Sequence, residues 1–71
     1  MNVIAYSKIK DKNQYRRMLR RLKKLQKHGK IVKIRNVIIV EDKELMNSIV
    51  EQIVKSCNNL KVYIALDRWL K

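Results

Sequence analysis

The segment Tyr15–Lys30, YRRMLRRLKKLQKHGK, constrains the fold more than any other part of the chain. Tyr15, Met18, Leu19, Leu22 and Leu25 recur at helical spacing. At 100° per residue they form one stripe about 120° wide. Arg16, Arg17, Arg20, Arg21, Lys23, Lys24 and Lys27 fill the opposite side, with no acidic residue among them. Such a helix has one side that must be covered by another layer and one that must stay in water or meet anions. Asp11 or Asn13 can cap its start, and Gly29, the only glycine, suits the left-handed position after its end. Lys27 and His28 lie in the last turn, where the helix dipole favours cations. The spacing predicts a helix over 12–28.

The other elements follow from shorter patterns. Val3-Ile4-Ala5-Tyr6 is a continuous apolar run, predicting a strand over about 2–9 that is buried on both faces. KIVKIRNVIIVE is a long β-branched run and predicts one strand over about 30–40. Its first part has one apolar face, and Val37 to Val40 is apolar on both. Asp42 caps a second helix over about 43–57, with Leu45, Met46, Ile49, Val50, Ile53, Val54 and Cys57 as its apolar set. Asn58-Asn59 is expected to end that helix, since Asn tolerates the left-handed region. Leu60, Val62, Ile64 and Leu66 alternate with Lys61, Tyr63 and Ala65 as a third strand, and DRWLK is a short tail. The expectation is a single basic α/β domain spanning 1–71, in the order β-α-β-α-β, with a three-stranded sheet and two helices. Parallel strands with the first strand central would put the helices on both faces. An antiparallel third strand would put both on one face.

A domain this small is marginal alone, because roughly 60% of chain surface is buried at ~60 residues. The 46% hydrophobic content still suffices for a core. Cys57 is the only cysteine, so no intramolecular disulfide can form, and it lacks Cys or His partners at metal-ligand spacing. Dimerisation is the expected route to more buried area, pairing through an edge of the sheet. A lone cysteine fits a reducing, cytoplasmic setting. The apolar run near the N-terminus is too short for a signal peptide's core, and Val37–Val40 falls far short of the ~20 residues needed to span a membrane.

Charge narrows the function classes. The chain carries a net +12, and residues 1–35 hold all of the excess: 13 Lys or Arg against Asp11 alone. Self-repulsion on this scale opposes folding, and a polyanion relieves it. The expected partner is DNA or RNA rather than a membrane, bound through the phosphate backbone largely without sequence specificity. Arg at i and i+4 (Arg16/Arg20, Arg17/Arg21) project together, and their guanidinium forks match phosphate oxygens. Lys33 and Arg35 are expected to join this site, and with Lys61 they would extend it onto the sheet if their strands are neighbours. Tyr6, Tyr15, Tyr63 and Trp69 could stack on bases, but core or interface packing is the simpler expectation, with Trp69 as a dimer anchor or plug.

Enzyme chemistry is thin. His28 fits a solvated helix end, and Ser7 and Ser48 have no evident base. Glu41, Asp42 and Glu44 could hold Mg²⁺, but helix capping accounts for them more simply. Asp11, Asp42 and Asp67 form a site only if the fold makes them converge. There is no Gly-rich phosphate loop. The expectation is no catalytic residue, no metal and no cofactor.

NVIAYSKIKDKNQYRRMLRRLKKLQKHG, an apolar strand ending in Tyr, a polar turn and an Arg-rich helix ending at Gly, resembles the opening of the small ferredoxin-like CRISPR adaptation proteins. NVIIVE and LKVYIAL resemble later strands of that family, so the likeness extends over roughly 2–66. It implies a ferredoxin-like dimer that binds DNA backbone, and for nuclease members an acidic metal ligand directly after the first-strand Tyr. Ser7 stands at that position here. The order of elements, size and charge also resemble the Alba family of archaeal chromatin and RNA-binding proteins. Two alternatives to a binding protein stay open: a metal-dependent nuclease using acids such as Asp11 and Glu41, and a component or inhibitor acting within a larger ribonucleoprotein.

Overall fold

The computed structural model describes residues 1–64. The chain forms β1 (Asn2–Ile9), α1 (Lys12–Lys27), β2 (Ile31–Ile34), β3 (Val37–Val40), α2 (Lys43–Ser56) and β4 (Cys57–Ile64). The four strands make one sheet in the order β2-β3-β1-β4, and every neighbouring pair is antiparallel. β1 and β2 therefore run parallel with β3 between them, and β3 and β4 run parallel with β1 between them. Each helix spans one of these split crossovers.

The expected three-stranded sheet is thus corrected to four strands. The run over 30–40 is not one strand but a hairpin, with Ile34 paired to Val37 and only Arg35 and Asn36 between them. Arg35 has φ +54, which lets so short a turn match the twist of its strands. Asn36 anchors the turn to β1. Its side-chain amide donates to the Tyr6 carbonyl at 2.7 Å, and the Tyr6 N–H donates to the Asn36 carbonyl at 3.1 Å. The sequence marks this break only by Asn36, a turn-favouring residue inside the β-branched run, since neither glycine nor proline occupies it.

Both helices pack on one face of the sheet. Met18 and Leu22 of α1 and Met46, Ile49 and Ile53 of α2 join Ile4, Tyr6, Ile31, Ile38, Val40 and Cys57 in one buried cluster. Cross-strand partners share a face, so the pairs Ile4–Ile38 and Ile31–Val40 place those residues beneath the helices. The expectation that β1 is buried on both faces holds for one only: Ile4 and Tyr6 are buried, whereas Val3 and Ala5 on the other face are half-buried. Among the described residues no element covers that second face.

The helix ends follow local chemistry. Asp11 accepts the Gln14 N–H and caps α1, and Asp42 accepts from Glu44 and Leu45 and caps α2. Gly29, at φ +72, ends α1: its N–H donates to the Gln26 carbonyl and the Lys30 N–H to that of Leu25, a Schellman arrangement. α2 stops one residue before the expected end. Cys57 is already extended, and Asn58-Asn59 belong to β4 rather than to a helix terminus. The ladder to β1 captures them, since Ile9 pairs with Cys57 and Ser7 with Asn59. Val54, expected in the apolar set of α2, is exposed because the sheet beneath is narrower than that helix's apolar arc. The expected third strand reached Leu66; Leu66, Asp67 and Trp69 lie outside the described residues.

Leu22 has no exposed surface, so Leu22→Ala should cost about 3 kcal/mol in a urea titration, a large part of a small domain's stability. Gly29→Ala should cost about 1 kcal/mol. A Cβ there meets nothing within 4 Å, so that loss would come from backbone conformation alone.

Candidate nucleic-acid interface

α1 lies over the β2 side of the sheet with its stripe inward. Met18 and Leu22 are buried, and Tyr15, Leu19 and Leu25 flank them. The geometry of the stripe then sends the cations outward. Arg16, Arg17, Arg20, Lys23, Lys24 and Lys27 are exposed, and the helix contains no carboxylate to neutralise them. The side chains of Arg17, Arg20, Arg21, Lys23, Lys24 and Lys27 enclose an open depression of about 620 Å³. Their aliphatic stems can form its floor while the charged heads reach water at its rim. Arg17 to Lys27 covers about 15 Å of helix axis. That length is comparable to about four phosphates along one strand of a duplex.

Arg21 differs from its neighbours. On the helical wheel it is the cation closest to Leu25, and it is half-buried. Its Nη1 donates to Gln52 Oε1 of α2 at 2.6 Å, so one arm of the guanidinium joins the two helices. The wheel position was the available signal for this; the partner on α2 was not legible from spacing.

The sheet cations do not assemble as expected. Lys33 pairs with Ile38 and lies on the helix side of edge strand β2. Lys61 pairs with Ala5 and lies on the open side of β4, at the other edge. Two strands separate them, so they form no common surface. Arg35 sits in the β2–β3 turn and does not line the depression. Arg16, the remaining expected contact, is exposed on α1 outside it.

The acidic residues are also dispersed. Asp11 follows the end of β1, whereas Glu41 and Asp42 follow β3, whose Val40 pairs with Asn2 at the start of β1. Asp11 and Glu41 are therefore at opposite ends of the sheet, about 25 Å apart along an eight-residue strand. Among the described residues no three His, Cys, Asp or Glu side chains come together as a metal site. Ser7, at the end of β1, is exposed, and His28 is the C-cap of α1.

Two buried side chains complete the picture beneath the helix. Tyr6 packs edge to face against Tyr15, with ring centroids 6.2 Å apart, so both rings serve the core as expected. Its hydroxyl has no hydrogen-bond partner among the described residues, and burial, reinforced by Tyr15, holds it neutral well above the usual tyrosine range. Cys57 is buried, and desolvation pushes its thiol up against the opposing pull of Lys10. The chain matches no family model, no curated protein and no solved structure with which it was compared.

Proposed function

We propose that this protein binds nucleic acid through the phosphate backbone, along the outward face of α1. The observation that carries this reading is the six-cation depression on a helix without a single carboxylate. A solvated helix face ordinarily mixes Glu with Lys so that neighbours four apart attract. Here the neighbours repel one another, and that cost is recovered when polyanion oxygens fill the space between them. Guanidinium forks and ammonium groups on one rigid helix suit phosphates and present nothing built to reach base edges, so recognition is largely independent of sequence. We take the fold as a ferredoxin-like variant, on its β-α-β-β-α-β order with both helices on one face. In such a layout a duplex or a single strand can lie along α1 without meeting the sheet.

The test is affinity for short duplex DNA, single-stranded DNA and duplex RNA, measured by fluorescence anisotropy across a salt series with EDTA present. The expected result is a steep linear fall of log K with log salt, about −0.9 per phosphate contacted on B-DNA. Absence of binding at low salt would overturn the reading. Arg17→Gln, Arg20→Gln and Lys24→Gln together should flatten the slope by about 3, one for each phosphate-binding cation removed, with an unchanged circular dichroism spectrum. Arg21→Gln should behave differently. It removes the link to Gln52, so it is expected to lower stability by about 1 kcal/mol while changing the salt slope less than Arg20→Gln.

A further inference from the structure

The face of the sheet turned away from the helices carries two aligned rows. Val32, Ile39, Val3 and Tyr63 form one row across β2, β3, β1 and β4, and Ile34, Val37, Ala5 and Lys61 form the next. Seven of these eight positions are apolar, and the single charge is at a corner. Ile34 is 62% exposed, Tyr63 55% and Val32 50%. Isolated surface aliphatics are ordinary, but a continuous patch over two adjacent rows of a sheet, bounded here by the polar Ser7–Asn59 pair, is not.

The chemistry of this face selects among partners. It is a poor platform for bases, because successive stacking needs several aromatics and Tyr63, on an edge strand, is its only one. An acidic protein would be drawn to α1, on the other layer, and not to an aliphatic surface whose single charge, Lys61, lies at its corner. A second copy of this chain meets both conditions. Apolar rows are self-complementary under a two-fold axis, as an isologous contact requires. Pairing through this face is also the approach that keeps the two strongly cationic helices farthest apart, each on an outer layer. Any contact through the α1 layer would bring their like charges together.

We infer that two copies pack sheet to sheet through Val3, Val32, Ile34, Val37, Ile39 and Tyr63, and that the dimer bridges two separate nucleic-acid segments. The dimer stands on the apolar face alone; the bridging rests on the proposed binding by α1. With layers about 10 Å apart, the two α1 axes lie roughly 30 Å from each other on opposite sides of the dimer. One duplex cannot lie along both helices at once, so each side takes its own segment. The flat extent of the rows is about 19 by 13 Å. That is the buried centre of an interface rather than a full standard one of about 800 Å² per partner, so the dimer is expected to be micromolar in strength.

The full chain is to be examined by sedimentation equilibrium from about 5 to 500 μM in high salt and without nucleic acid, which keeps this result independent of nucleic-acid binding. The mass should rise from the 8.6 kDa of one chain to twice that value. Val32→Thr with Ile34→Thr keeps β-branched residues at exposed strand positions, so the fold is retained; it should weaken the dimer at least about tenfold. A monomer at every concentration would overturn the inference. So would a dimer that the double variant leaves unchanged, or a monomer in which Ile34→Cys resists thiol reagents because residues 65–71 of the same chain cover the face. Two duplexes carrying a donor and an acceptor dye should show energy transfer with the native chain and lose it with the double Thr variant. If the dimer forms but captures no duplex at low salt, the binding assigned to α1 fails and the sheet-to-sheet contact stands. If duplex is bound and dimers form but no transfer is seen, the bridging is overturned.

Discussion

The structure depends on the burial of one narrow stripe. α1 carries its apolar residues within about a third of its circumference, and the rest is polar or charged. Leaving Met18 and Leu22 in water would forfeit roughly 2 kcal/mol for each side chain. Burying any Arg or Lys of the opposite side without a partner would cost more than that. The helix therefore has one workable orientation against the sheet, and the remaining core is built to receive it. Ile4, Ile38 and Val40 lie below α1 and α2, which also pack on each other, and Ile49 and Ile53 of α2 complete the same buried cluster. The outward display of Arg17, Arg20, Lys23, Lys24 and Lys27 is the other side of that same constraint.

Where one interaction dominated locally, the sequence was legible. α1 was visible because its periodicity, Asp11 cap and Gly29 terminator agree with one another. β1 was visible as an apolar run, and its expected bounds of 2–9 are those observed. The hairpin was hidden because its turn uses Arg35 and Asn36 in place of the Gly that usually marks a two-residue loop. What holds it is Asn36 bonding to Tyr6, thirty residues away, and no local pattern encodes such a contact. The end of α2 was misplaced for a related reason. Asn58 and Asn59 favour a helix stop by propensity, but pairing with β1 began before them.

The candidate site shows the same division. The cations of α1 were identifiable because helical spacing alone decides their side. Lys33 and Lys61 were not, because whether two strand residues meet depends on sheet order and on which face each one occupies. The four-stranded order separates them on both counts. The apolarity of the VIIV run was also real, but it implied burial on both sides of a strand that, among the described residues, has helices on one side only. Binary patterning reports which surfaces avoid water and does not name what covers them.

The central position of β1 has a consequence for how the molecule comes to be made. Its ladder with β4 joins residues between 48 and 62 positions apart, so the sheet closes only when the last strand has arrived. Contacts that distant in sequence raise contact order and slow folding. During synthesis the N-terminal half appears first, with all of the net charge and without the strands that flank β1. Until β3 and β4 are present, the net +12 of residues 1–35 stands beside a β1 that has no strand partner. The acids of the later half then arrive at a net charge of zero, and they cannot offset what the first half carries. Both edges of β1 are therefore open to wrong partners until the late strands pair with it, and β4 closes the second of them.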